Sequence, residues 1–383
     1  MTRRIGVEER RARLALRHHL AGEARADTVT RVAGDLVGLH GTDPASVFLA
    51  AHARMRDGTI EQIERAMYDD RTLVRMLAMR RTVFTVPVEL APVVHASSTR
   101  SIAAREHRRT VQFLERGGIS DDGDAWVRRV QDATMAALVA RGEAYAAELA
   151  EDVPDLRTQI PVTGGGVTGA STRVLHLLAA EGRVVRGRPR GSWISSQYRW
   201  SPAEAWPELP TDEAQAALVR AWLASFGPAT AADVQWWTGW TAGETRRALA
   251  QVGPAEVELD GGAGFVLADD AEPVPAPEPW VALLPALDPT VMGWQGRGWY
   301  LGGHGPALFD RSGNAGPTVL CDGRVVGGWA QRRSGEVVHR LLEDVGADAG
   351  RAIEAAAERL TAWLGRARVT PRFRTPLERE LSA

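Results

Sequence analysis

The 383-residue chain contains no lysine, so all 46 of its basic residues are arginine. A Schiff base on a lysine amine, a lysine-bearing phosphate loop, a lysine-bound pyridoxal group and a serine–lysine dyad are therefore excluded. A single cysteine, Cys321, rules out an internal disulfide framework and any cysteine-rich zinc site. The histidines are scattered or, like His18 and His19, adjacent and unable to share one helix face. No His-Glu-x-x-His pattern occurs, so neither a metal nor a cofactor is expected. No apolar run approaches the roughly 18 residues that a membrane span needs. The N-terminus is basic and amphipathic without the apolar core of a secretory signal, and one cysteine fits a reducing compartment. The expectation is a cytoplasmic chain with no membrane partner. Absent coiled-coil heptads, it is expected to be a monomer.

What is present is charge in nearly equal and opposite amounts. Against the 46 basic residues stand 48 acidic ones, a net charge of −2. The cancellation is global and not local. Residues 183–199 carry Arg183, Arg186, Arg188, Arg190 and Arg199 and no acid, and residues 366–374 carry Arg366, Arg368, Arg372 and Arg374 and no acid. Residues 248–296 are acidic until Arg297. A neutral chain with clustered arginine can bind a polyanion through one face, because guanidinium forks match phosphate and guanine edges.

Apolar spacing predicts helices through residues 8–40, with Asp27 or Thr28 as a cap, and a further helix from Pro44. Residues 72–86 read as a strand-like run with a helix starting at Pro87. Residues 125–141, 144–151 and 170–181 read as three helices, with Ser171 or Thr172 as the cap of the third. They are followed by a hairpin turning at Arg188-Pro189-Arg190-Gly191. The same order recurs: helices at 213–226, from Pro228, and from Thr241 with Glu244 three residues on, then a hairpin around Gly261 and Gly262. Three helices and a hairpin is the winged-helix pattern. Gly164-Gly165-Gly166 lacks the lysine of a phosphate loop and reads as a turn. Beyond a proline-rich linker at 271–279, strands turn at Asp322-Gly323, a helix covers 350–364 and a basic tail 366–374. The 13 tryptophans against 4 tyrosines are assigned to packing, Trp236, Trp237 and Trp240 between units and Trp280, Trp294, Trp299 and Trp329 in a barrel-like C-terminal part. The fold class is α+β, mainly helical. Its expected parts are 1–120, a helical or winged-helix-like region carrying His40, Thr42 and Asp43; 121–205, a first winged helix with an arginine-rich wing; 206–272, a second winged helix; and 273–383, a β-rich or winged-helix-like region with a basic tail.

Five segments in this order are similar to one known superfamily. DLVGLHGTDPASVFLAAHARM (35–55) resembles its Gly-Leu-Gln-x-Gln-x-Pro-Ala segment. RMLAMRRTVFTVP (75–87) resembles its Met-Arg-Gly-Thr strand, with Arg80 and Thr82 at the matching places. FGPATAADVQWWTGW (226–240), WVALLPALDPTVMGWQGR (280–297) and VLCDGRVVGGW (319–329) are similar to its Tyr-Gly-Pro-Ala-Thr, Leu-Leu-Pro-x-x-Asp-Pro and Asp-Gly-x-x-Val-Gly-x-Trp segments. Together they resemble the winged-helix DNA glycosylases of the AlkZ/YcaQ type over about residues 10–340. The resemblance implies tandem winged-helix units around a DNA-binding concavity. It also implies double-stranded DNA as partner, nucleoid association and removal of alkylated purines, in DNA repair or antibiotic self-resistance.

The departure lies in the catalytic element, Gln-x-Gln or Gln-x-Asp in that superfamily. Here His40 and Thr42 stand at those places, followed by Asp43. A neutral His40 could accept a proton from water, Thr42 could orient it and Asp43 could hold positive charge on the sugar. The same residues also spell a helix start, Thr42 or Asp43 capping and Pro44 in the first turn, with His40 at the end of the preceding helix. DNA contacts are expected from Arg80, Thr82, Arg186, Arg188, Arg190 and Arg297. The expected activity is monofunctional hydrolysis of the N-glycosidic bond of N7-alkylated or bulky purine adducts by a positioned water. The alternative is a non-catalytic winged-helix DNA-binding protein, a regulator or lesion binder.

Overall fold

A computed structural model describes residues 2–383. The chain is 46% helical and 19% strand, the mixed and mainly helical class expected. It begins with β1 (Arg3–Arg4) and α1 (Val7–Arg17). Thr28 caps α2 (Val29–Asp35) by accepting from the Arg31 amide. The helical spacing read through residue 40 stops short there. Gly38, at φ +112°, turns the chain into β2 (Leu39–His40), and a Cβ at that glycine would meet Val86 at 2.8 Å. His40 therefore sits on a strand and not at a helix end.

Asp43 caps α3 (Pro44–His52), and α4 (Ile60–Glu64) follows. The run at 72–86 is two strands, β3 (Leu73–Leu77) and β4 (Val83–Pro87), ordered β2-β4-β3 in one sheet. The break falls at Arg80 and Arg81, both at positive φ (53° and 62°). Pro87 ends β4, and the next helix starts later, as α5 (Ala91–Val94), running through a π-turn into α6 (Arg100–Arg116).

The first repeat is α7 (Gly123–Arg141), β5 (Ala144–Tyr145), α8 (Ala146–Asp152), β6 (Gln159–Val162), β7 (Gly166–Gly169), α9 (Ala170–Ala180), β8 (Val184–Pro189) and β9 (Tyr198–Pro202). Three helices are closed by the sheet β5-β9-β8. The triple glycine is the turn of the β6–β7 hairpin, which alternation did not reveal. Neither Ser171 nor Thr172 caps α9; Gly169 occupies that position. The second repeat is α10 (Thr211–Phe226), α11 (Ala231–Thr238), α12 (Ala242–Val252), β10 (Ala255–Leu259) and β11 (Gly262–Val266), with the expected reciprocal cap between Thr241 and Glu244. β1 pairs parallel to β10, so the N-terminus completes that hairpin's sheet.

The C-terminal part contains β12 (Val281–Leu284), α13 (Gly298–Leu301), α14 (Gly305–Leu308), β13 (Thr318–Cys321), β14 (Arg324–Gln331), β15 (Val337–Leu341), α15 (Ala347–Leu364) and α16 (Pro376–Leu381). Its four strands form an open antiparallel sheet in sequential order, not a barrel. The basic tail is tied down: the Val369 amide donates to Gln331 Oε1 (2.8 Å), the Arg372 amide to Asp43 Oδ2 (2.9 Å), and Arg374 bonds Glu378. A loose polycation is thereby ruled out for 366–374.

Apolar packing divides unevenly. The first repeat has its own core, from Phe113 through Leu138 and Leu178 to Trp200. The N-terminal region, the second repeat and the C-terminal sheet share a larger one, in which Trp222, Phe226, Trp237 and Trp294 meet. Through this second core runs a fully buried ion pair. Arg54, in the turn after α3, reaches Asp288, after β12, in two hydrogen bonds of 2.6 and 2.8 Å. Arg54 also donates to Thr290, whose hydroxyl lies 2.8 Å from His18 Nδ1. Burial, then the charge of Arg54, holds His18 well below the ordinary histidine range, so its ring is neutral.

Removing one partner of this pair strands the other charge. Asp288→Ala is expected to cost about 3–5 kcal/mol in urea denaturation. The double variant Arg54→Met/Asp288→Leu should cost clearly less than Asp288→Ala. A single variant within about 0.5 kcal/mol of wild type would contradict this role.

Candidate nucleic-acid interface and active site

A cleft of about 810 Å³ opens between the β3–β4 turn, the N-terminus of α8, α9 and the β8–β9 hairpin. Of the residues expected from the sequence, Thr42, Thr82, Arg186 and Arg190 line it together. The Thr82 hydroxyl donates to the Met79 carbonyl (2.9 Å), fixing the turn at which Arg80 and Arg81 diverge. Arg75, Arg81, His176 and Arg372 also line the cleft and were not singled out. Arg75 was legible in one respect: it is the lone charge within Leu73–Leu77, a strand whose five residues are all buried.

Arg75 is only 5% exposed. Its guanidinium lies 4.7 Å from the centre of the Tyr198 ring and donates to the Tyr198 hydroxyl, while Nε and Nη2 are buried without a partner. Arg186 lies 4.7 Å from the Trp200 ring centre, with Nη1 buried and unpartnered. Burial lowers the pKa of both, that of Arg186 to about 10 with a smaller contribution from Arg75. Both remain cations at neutral pH. His176 is pushed down to about 4 by burial and then by Arg186 and Arg173, so it adds no charge.

The triplet is split by the fold. Thr42 is half-buried at the cleft wall, and its hydroxyl oxygen accepts from the Val83 amide (3.2 Å), which leaves its own proton free to donate. Asp43 is 6% exposed, and its oxygens accept from the amides of Ala45 (3.2 Å) and Arg372 (2.9 Å). Burial raises its pKa against those two bonds. His40 is 4% exposed, pairs with Phe84 across β2 and β4, and packs its ring 5.1 Å from that of Phe84. Burial, then the charge of Arg80, pushes its pKa down to about 3. A base that weak is far from the operating pH that favours proton abstraction.

Arg80 and Arg297 form a second cluster. Their guanidiniums lie 4.0 and 4.8 Å from the centre of the same ring, Trp236. Arg297 Nε also donates to the Trp294 carbonyl (2.9 Å). Trp236, expected as packing, is half-buried and serves as a cation platform; Trp237 and Trp240 are buried as expected. Arg80 and Arg81 also border a smaller hollow of about 450 Å³ with Arg105, Arg109 and Glu106, and Glu106 pairs with Arg81 there. Arg188 stands apart: it bonds Asp69 (2.8 Å) and Glu64 (3.1 Å), fastening the wing to the N-terminal region.

Residues 33–363 match the family model described as DNA glycosylase AlkZ-like. The chain belongs to the AlkZ-like DNA glycosylase family. It is 30% identical over 167 residues to an interstrand DNA cross-link repair glycosylase of Streptomyces sahachiroi. That match spans 41% of this chain and 45% of the relative, less than half of either. The solved structure of Streptomyces sahachiroi DNA glycosylase AlkZ superposes with a TM-score of 0.74 at 21% identity, over 96% of this chain and 99% of its own. This AlkZ-like chain therefore shares that protein's fold throughout. No helix among the described residues is long and apolar enough to cross a membrane.

The depressed pKa of His40 sets a pH dependence. Between about 6.5 and 3 the unfolded chain holds a proton on this histidine that the folded chain refuses. Its contribution to stability is thus complete above the unfolded value and is lost as pH falls. His40→Phe should flatten the decline of Tm between pH 6.5 and 4 relative to wild type. An unchanged slope would show that His40 is accessible and ordinarily basic.

Proposed function

We propose that this AlkZ-like protein is a monofunctional DNA glycosylase acting on N7-alkylated or bulky purine adducts in double-stranded DNA. The observation that carries the reading is the cleft: unneutralised guanidiniums on its walls and the half-buried Thr42 hydroxyl among them. A strand of DNA supplies the negative charge that the walls lack. An N7-alkylguanine is already cationic, so its departure needs little acid catalysis, and the task is to place a water and stabilise an oxocarbenium-like sugar. Thr42 is assigned to the water, through its free hydroxyl proton. The carboxylate of Asp43, held by two amides beside Thr42, opposes the developing positive charge through its field. His40, neutral and packed on Phe84, holds the Gly41–Thr42 segment in place; Gly41 bonds to Val83 at 2.7 Å. Arg186 and Arg190 on the wing, with Arg80, Thr82 and Arg297 nearby, form the DNA-contacting set. Arg188 acts indirectly by docking the wing.

A second reading, a lesion binder without turnover, is favoured by one specific observation: His40 is too weak a base, and both Asp43 oxygens are already engaged. One assay separates the two. Duplex DNA carrying N7-methylguanine or a bulky N7 adduct, incubated with the protein and then heated in alkali, should break at the lesion. Thr42→Val should slow this by about tenfold or more, the loss of one positioned hydrogen bond, while Thr42→Ser retains it. Because the chain has no lysine, borohydride should trap no adduct through a lysine amine. Binding without base release on every N7 substrate would leave the lesion binder as the function.

A further inference from the structure

Two buried guanidiniums that repel each other are a costly arrangement. A buried cation without a carboxylate or a full set of acceptors destabilises the fold by several kcal/mol. Arg75 is buried and Arg186 half-buried with its Nη1 enclosed, and the charge of Arg75 works against that of Arg186. They come from different sheets, Arg75 on β3 opposite Thr85 and Arg186 on β8 opposite Trp200. Neither forms an ion pair with a carboxylate among the described residues, and Asp43 acts on Arg75 only through space. Three buried N–H-bearing nitrogens, Arg75 Nε and Nη2 and Arg186 Nη1, lack an acceptor. Each guanidinium is backed by an aromatic ring, Tyr198 or Trp200, which restricts its plane. Both residues line the 810 Å³ cleft, but these three nitrogens have no water-accessible surface in the free chain, so an acceptor reaches them only when the side chains turn toward the cleft's open side.

We propose that Arg75 and Arg186 form a seat for one phosphate group, mono- or diester, within the cleft. Its tetrahedral oxygens accept the spare N–H groups of both forks at once, and its charge removes their mutual repulsion. Arg190 and Arg372, also on the cleft wall, extend the same field outward. The seat deepens the reading above, in which the phosphate belongs to the bound DNA strand. It makes no use of base removal, so the two stand or fall separately.

The test is thermal unfolding of the full chain in inorganic phosphate and in chloride at equal ionic strength. It is paired with salt titration of binding to undamaged duplex DNA. Wild type should unfold at higher temperature in phosphate. Arg186→Met should lose that rise and, freed of an unsatisfied buried charge, match or exceed wild type in chloride. Arg351→Met, exposed on α15 and outside the cleft, should retain the rise. If the phosphate belongs to DNA, Arg186→Met should also weaken DNA binding about tenfold and reduce the slope of log affinity against log salt by about 0.9. A phosphate rise with an unchanged DNA slope assigns the seat to a free phosphate compound. A changed slope without a phosphate rise restricts it to diesters. Arg75→Gln serves as the second variant if Arg186→Met loses its cooperative transition. The proposal is overturned if wild type gains nothing in phosphate and the DNA slope is unchanged, or if the variants keep the full phosphate rise.

Discussion

Arg54 and Asp288 meet with no exposed surface on either side chain, inside the core that the N-terminal and C-terminal regions share. The pair joins the turn after α3 to the segment after β12, 234 positions apart in the chain. The N-terminus of α3 carries Thr42 and Asp43. The Asp43 carboxylate in turn takes the Arg372 amide from the extreme C-terminal segment. The cleft wall is thus built from both ends of the chain and cannot form until they are brought together. Thr290 and His18 complete the buried network, and the neutral state of His18 keeps a second positive charge from competing with Arg54 for Asp288.

Against this paired charge stand the unpaired ones in the cleft. The fold pairs Arg54 with Asp288, although Arg54 Nε stays unbonded, and pairs Arg188 with Asp69 and Glu64, but gives Arg75 and Arg186 no carboxylate partner. The contrast is informative because a buried charge left unpaired is selected against unless something binds it. The near-zero net charge of the chain conceals this. Glu256, Glu258 and Asp260, on the hairpin of the second repeat, are not among the residues that line the cleft. An electrically neutral molecule therefore has one strongly cationic concavity.

Much of the architecture was legible. Two successive sets of three helices and a hairpin followed from apolar spacing and turn chemistry, and caps such as Thr28 and the Thr241–Glu244 pair followed from residue type. The misreadings share a cause. The strand β2, the split of 72–86 into two strands and the docking of β1 on β10 depend on partners distant in sequence, and local periodicity carries no information about them. The site was legible only in part for the same reason. Wing position marked Arg186 and Arg190, and motif position marked Thr42 and Thr82. The burial of His40, the double engagement of Asp43 and the pairing of Arg188 with Asp69 are consequences of tertiary contacts that no spacing encodes. Arg75 left a trace, one charge inside an apolar strand, of the kind that marks a buried cation with a task.

The central claim is that DNA occupies the cleft between the β3–β4 turn and the first wing. Amide hydrogen exchange of the full chain, alone and with saturating duplex DNA, tests it most directly. The account predicts new protection at residues 79–83 and 184–202, with the hairpin at 255–266 unchanged. Protection confined to 255–266, with the cleft exchanging as in the free protein, would contradict it.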